Sequence, residues 1–353
     1  MQSNAPTSEI IDLLLVLLKM KSYVSVALQI EDESDARLLL DLLLVALDHR
    51  PLLFNEQVLD APRRVRRLMF KLATKIPVLP PSLRMSRINI NRTYAGWGGY
   101  ADVFMGEYLG ATVALKLLRT AKHNDFCREA LIWRSLSHES VLPFLGIYEE
   151  EQMFLVSPFM KNGTLSQWRN VHRPATADVR KRLLEVAEGL QYIHSEGIVH
   201  GDIRGSNILL DGDFHAKIAD FGLTRHFDAT ATQTDTLSPN FAAPELFGWV
   251  EDDSEASDLD DSAKIARTPR SDVYAFGSLY YEIHFNVIPF TGQDYIHILR
   301  QVTNKKRPEK LDNPALGGEE WKLMKQCWRH EQSRRPAMED VVEIMLQWDM
   351  NPA

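Results

Sequence analysis

The sequence has 353 residues, 45% of them apolar and 25% charged, with a formal net charge of −8. That is the composition of an ordinary globular protein, long enough for two domains or for one large domain with an extension. The acidic balance excludes general binding to nucleic acid. Two cysteines, Cys127 and Cys327, stand far apart in the sequence. One disulfide is possible in principle, but reduced thiols in a cytosolic protein are the expected state.

The first residues, MQSN, lack a basic n-region, so no secretory leader is expected there. Gln2 follows the first methionine where myristoylation requires glycine, and the last residues do not match a prenylation box, so neither lipid is expected. The apolar run from Ile10 to Leu18 is broken by Asp12 and stopped by Lys19. A membrane span needs about 20 apolar residues, so no transmembrane segment is expected.

Two Leu-rich segments, SEIIDLLLVLLKM and DARLLLDLLLVALD, predict helices buried against each other or a partner. In RRVRRLMFKLATK the residues Val65, Leu68, Met69, Leu72 and Ala73 make one helical stripe. Arg63, Arg64, Arg66, Arg67, Lys71 and Lys75 are expected to surround it. PVLPPSL then breaks the helix and marks a boundary near residue 80. From about residue 86 the pattern changes to short glycine-punctuated runs, NRTYAGWGGYADVFMGEYLGATVALKLL, as in consecutive antiparallel hairpins. After residue 120 helical periodicity dominates, with Val179, Leu183, Val186, Leu190 and Ile193 on one face. Residues 251–261 carry seven acids in eleven positions and predict a solvated loop.

Several short motifs carry chemistry. GWGGYADV has glycines that could let backbone N–H groups approach phosphate oxygens without a Cβ clash, although alone it reads first as a glycine hairpin. VALK ends in Lys116 on the following strand, and Glu129 heads an apolar helical pattern. Taken singly, one is an edge-strand lysine and the other a surface helix acid. HGDIRGSN sets Asp202, Arg204 and Asn207 in one turn, and ADFGL supplies Asp220. Asn207 and Asp220 offer the hard oxygen atoms that Mg²⁺ prefers. FAAPEL and SDVYAFG complete the series.

In this order and spacing, over about residues 86–349, the motifs resemble the eukaryotic protein kinase family. CREALIWRSLSHESVLPFLGIY and HGDIRGSN together look like its tyrosine-kinase-like group, especially the fungal members of that group. The resemblance implies an α+β, two-lobed protein kinase fold with a small β-rich lobe and a larger helical lobe. Residues 1–85 would then be a helical N-terminal extension, 86–349 the kinase domain, and about 249–268 an acidic insert within it. It implies ATP and Mg²⁺ as cofactors, a protein substrate and a cytoplasmic setting. Gly96 and Gly98 match the first glycines of the nucleotide loop, with Ala101 at the third place and Tyr100 at the tip. Val103 would lie against adenine, with Ala114 and Leu209 as further nucleotide positions. Lys116 matches the phosphate-holding lysine and Glu129 its helix partner. Ser157 matches a small gatekeeper and Met160 a hinge residue. Asp202 matches the base, Arg204 a phosphate-stabilising cation, and Asn207 and Asp220 the Mg²⁺ ligands. His200, packed near Phe221, Asp272 and a Glu245–Arg335 pair are implied as structural.

Departures from the pattern leave alternatives open. Gly201 replaces the usual arginine that grips an activation-loop phosphate, so activation is expected to depend less on phosphorylation at Thr230, Thr232, Thr234 or Thr236. SPNFAAPE, with Ser238 facing the base, favours serine/threonine substrates, while Arg204 keeps tyrosine open. A pseudokinase scaffold is the alternative to an enzyme. Residues 1–85 are either a prop for the small lobe or a module that recruits a protein partner. The acidic insert is either a tolerated loop or a docking segment.

Overall fold

The computed structural model describes residues 8–48, 60–97, 101–119, 123–226, 237–247, 267–313 and 316–350. The acidic stretch 251–261 and the four threonines between 230 and 236 lie outside these residues. Internal packing divides the chain into two units, Met1–Ser137 with Pro143–Phe159, and His138–Leu142 with Met160–Ala353.

The first unit begins with the two expected Leu-rich helices, α1 (Ser8–Lys19) and α3 (Glu33–Asp48), with a short α2 (Tyr23–Ala27) between them. Asp32 starts α3 by accepting from the backbone N–H of Ser34 and Asp35. These bonds, that from Asp35 foremost, hold its carboxyl below the usual range. Helix α4 (Ala61–Lys75) buries the whole predicted stripe from Val65 to Ala73. Pro62 sits in its first turn, where a missing N–H costs nothing, and the extended backbone of Ile76 ends it. One expectation is corrected. Arg66, expected among the cations that surround the apolar stripe, is instead fully buried with it.

Five antiparallel strands follow: β1 (Asn89–Trp97), β2 (Ala101–Tyr108), β3 (Ala111–Leu118), β4 (Gly146–Glu149) and β5 (Met153–Pro158). Their order is β1-β2-β3-β5-β4. The Leu109–Gly110 turn joins β2 to β3 with both residues at positive φ, as a two-residue hairpin turn requires. Ile88, Val113, Leu115, Phe154 and Val156 form the core on one side of the sheet. Helix α5 (His123–Arg134) completes the unit.

The second unit is mostly helical: α6 (Leu165–His172), α7 (Thr176–Ser195), α8 (Pro269–Phe285), α9 (Tyr295–Thr303), α10 (Gly318–Cys327) and α11 (Met338–Met350). The predicted face of α7 is buried at all five positions. Thr268 caps α8 in a reciprocal box with Ser271. Two small sheets, β6 (Ile198–Val199) with β9 (Arg225–His226) and β7 (Ile208–Leu210) with β8 (Ala216–Ile218), frame the loop between β6 and β7. The α+β class implied by the resemblance is therefore what the chain adopts. Cys127 and Cys327 are both buried free thiols, and burial pushes each thiol up to about 12.

Acid sensitivity follows from the second unit. His284 is buried on α8, and neither ring nitrogen has a hydrogen-bond partner among the described residues. Burial lowers its proton affinity, and burial with nearby cations lowers that of His330 to about 4. Both rings thus take a proton more readily unfolded than folded. Their contribution to stability is complete above about pH 6.5 and is lost as pH falls below it, toward 4 in the case of His330. The melting temperature of His284→Leu should accordingly fall less between pH 7 and pH 5 than that of the wild type. Equal slopes for the two proteins would contradict this.

Candidate active site

In the first unit, strand register collects several of the named residues on one face of the sheet. Directly opposed residues on antiparallel strands point the same way. Val103 faces Lys116, Lys116 faces Leu155, and Ala114 faces Ser157. Gly96 pairs with Val103 through β1, whereas Gly98 and Tyr100 lie outside the described residues. Lys116 Nζ donates to Glu129 Oε1 at 2.7 Å, so the acid of α5 reaches the lysine of β3. The Glu129 side chain is 5% exposed and that of Lys116 is 16% exposed. A charge pair this enclosed holds its geometry more firmly than a surface pair does.

In the second unit, residues 200–207 form a turn built around Asp202. Its carboxylate is buried and has three donors. Asn207 Nδ2 and Arg204 Nε donate to Oδ2 at 2.7 and 3.2 Å, and Ser238 Oγ donates to Oδ1 at 2.9 Å. Asn207 Nδ2 also donates to the Asp202 carbonyl at 2.9 Å. Both roles of that amide nitrogen turn Asn207 toward Asp202. Among the described residues its Oδ1 then has a long contact from Ser206 Oγ, at 3.5 Å.

The turn is anchored from below. Asp272, at the start of α8, accepts from the backbone N–H of His200 and Gly201, both at 2.8 Å, and contacts His194 Nε2 at 2.9 Å. His200 contacts the Ala219 carbonyl through Nε2 at 3.0 Å and packs edge-on against Phe221. Ala219 N donates to the Asn207 carbonyl at 2.9 Å. These bonds tie the 200–207 turn to the segment that carries Asp220. Asp220 itself sits at φ 65°, in the left-handed region that a non-glycine residue adopts only when its surroundings hold it there. Leu209 is half-buried on β7, bridged to Thr164, and Met160 closes a turn to Gly163.

Asn207 and Asp220 fit a hard divalent cation by donor chemistry. One contributes an amide oxygen whose nitrogen is already bonded elsewhere, and the other contributes a carboxylate on the segment bonded to it.

Gly201 has a local reason. Its φ is +85°, and a Cβ there would meet Arg267 Cδ at 2.6 Å and the Leu223 carbonyl at 3.0 Å. A side chain at this position would carry backbone strain and displace the arginine that precedes α8. One supporting residue is missed by sequence reasoning. Glu282, buried in α8, accepts from Gly205 N at 2.9 Å and Ser166 Oγ at 2.6 Å. Burial raises its proton affinity despite these bonds. The signal was a lone acid inside the apolar run SLYYEIHF. Farther from the turn, Arg335 donates to the Glu245 carboxylate from Nη1 and Nη2, both at 2.7 Å, as the resemblance implied.

Comparison with known proteins identifies a family. A family described as protein tyrosine and serine/threonine kinase matches residues 91–345. A probable serine/threonine-protein kinase of Dictyostelium discoideum is 29% identical over 71% of the chain and 15% of its own length. The serine/threonine/tyrosine-protein kinase HT1 of Arabidopsis thaliana is 24% identical over 75% of the chain and 67% of its own length. The LysM domain receptor-like kinase 10 of Oryza sativa subsp. japonica is 28% identical over 71% of the chain and 44% of its own length. The chain thus spans less than half the length of two of these three relatives. With the family match covering most of its residues, the chain belongs to the protein tyrosine and serine/threonine kinase family.

Proposed function

We propose that the chain is an active ATP- and Mg²⁺-dependent protein kinase of the tyrosine-kinase-like group, acting on serine or threonine of protein substrates in the cytoplasm. The observation that carries the reading is the Asp202 carboxylate. It is buried and held on one oxygen by Asn207 and Arg204, while the other accepts a serine hydroxyl, that of Ser238, at 2.9 Å. That contact has the geometry a base needs toward the hydroxyl it activates. Asp202 orients the attacking hydroxyl and takes its proton. Lys116, kept in place by Glu129, holds the α- and β-phosphates, and Arg204 adds positive charge.

Asn207 and Asp220 would hold Mg²⁺, which when bound offsets the charge on the phosphates. Gly96, Gly98 and Tyr100 would cover the phosphates. Val103, Ala114, Ser157, Met160 and Leu209 would contact the base and sugar. Residues 86–349 form the kinase domain in this reading, and 1–85 an extension open to a protein partner. No helix among the described residues is long and apolar enough to cross a membrane.

Phospho-amino-acid analysis of the protein and a mixed peptide library after incubation with Mg·ATP tests the specificity. Phosphoserine and phosphothreonine are expected. Phosphotyrosine alone would overturn the serine/threonine assignment, and no label would overturn the activity.

A further inference from the structure

The Lys116–Glu129 pair depends on where α5 lies, and the N-terminal helices hold α5 at both ends. At its C-terminal end the last carbonyls lack intrahelical partners and carry the negative end of the helix dipole. Arg66, fully buried on α4, reaches this end. Its Nη2 donates to the Ser135 carbonyl at 2.7 Å and its Nε to Ser135 Oγ at 3.3 Å. Ser135 Oγ in turn donates to the Ile132 carbonyl at 2.7 Å, inside the last turn. Next to it, Arg134 makes a two-pronged bond to Asp48, the last residue of α3, at 2.9 and 2.5 Å. At the opposite end of α5, the Pro77 carbonyl just after α4 contacts His123 Nε2 at 2.9 Å and accepts from Cys127 Sγ at 3.4 Å. Between the two ends α4 packs along α5.

Filling space does not require a charge at position 66. A leucine or methionine would extend the apolar stripe of α4 with no desolvation cost. A buried guanidinium matches what a helix C-terminus presents, a cluster of carbonyl oxygens with negative potential. The polar attachments fall on the two ends of α5, which are the places where a helix frays or shifts first.

We infer that α3, α4 and the segment just after α4 are an intramolecular clamp that fixes α5 and its Glu129 against Lys116, with Arg66 as the positioning residue. The extension then does within the chain what a separate activating subunit would do, and the kinase needs no partner to seat Glu129. This regulatory role rests on the reading of the chain as an active kinase, but the clamp has a readout of its own.

The test uses the full chain with Arg66→Met and Arg66→Lys, read by amide hydrogen exchange and by steady-state kinetics. Arg66→Met is expected to speed exchange about tenfold or more in residues 124–135, with little change in β1–β5. It should also lower kcat/KM for ATP about tenfold, and Arg66→Lys should restore part of both. Unchanged exchange in α5 would overturn the clamp. So would a rise spread evenly over the first unit, which marks a merely structural residue. If Arg66→Met does not fold, Asp48→Asn, at the partly exposed end of the clamp, should raise exchange locally at 130–135, and no rise there would overturn it. A wild type without kinase activity would defeat the proposed function while leaving the exchange result to judge the clamp.

Discussion

Asp202→Asn is expected to lower kcat by about two to four orders of magnitude while the protein stays folded, because general-base assistance contributes on that scale. The amide has the shape of the carboxylate and keeps an oxygen for the donors now on Oδ2, Asn207 and Arg204. What it loses is the charge that draws the hydroxyl proton. The pattern to look for is a fall in kcat with the KM for ATP nearly unchanged, since Asp202 is assigned to the hydroxyl and Lys116 to the phosphates. A variant that retained more than a tenth of the wild-type kcat would remove Asp202 from the base role. Circular dichroism and melting separate that outcome from misfolding.

The second large effect concerns stability. Glu245→Ala should destabilise the fold by about 3–5 kcal/mol, the cost of leaving one charge of a buried pair without its partner. Arg335 is 2% exposed, and its remaining contacts are the carbonyls of Arg270, Arg329 and His330 and the face of Tyr274. Carbonyl dipoles and a ring face soften the loss without neutralising the guanidinium, which places the expected value toward the lower end. In a domain of this size that is a drop of about 10 °C in melting temperature. Urea unfolding measures it directly. A loss below about 1 kcal/mol would mean that the carbonyls, and not Glu245, balance the charge.

The elements that repeat a simple period were legible in the sequence. The stripe of α4 and the face of α7 follow the 3.6-residue spacing of a helix with one buried side, and every apolar position named there is buried. The turn around Asp202 was legible for a different reason. Asp202, Arg204 and Asn207 lie within six residues, so the local chain alone brings them together. The family resemblance added long-range partners that no local rule supplies, such as Glu245 with Arg335, 90 positions apart.

What stayed hidden depends on distant partners or on backbone angles. Arg66 reads as one more cation in a basic run, because Ser135 lies 69 positions away. Glu282 reads as an acid in a helix until Gly205 and Ser166 come to it across the fold. Gly201 reads as a lost arginine, and thus as a statement about regulation. Its φ of +85° and the seat of Arg267 show that the backbone itself calls for glycine. Composition and spacing do not carry that information.

The most direct measurement is phosphoryl transfer from γ-labelled Mg·ATP by the wild-type chain, with Asp202→Asn and Lys116→Met run beside it. Label on protein serine or threonine with the wild type, its loss with both variants, and its disappearance when Mg²⁺ is chelated are the predicted results. Transfer that persists in Asp202→Asn, or no transfer by a folded wild type to any protein or peptide, would contradict an active kinase built on this turn.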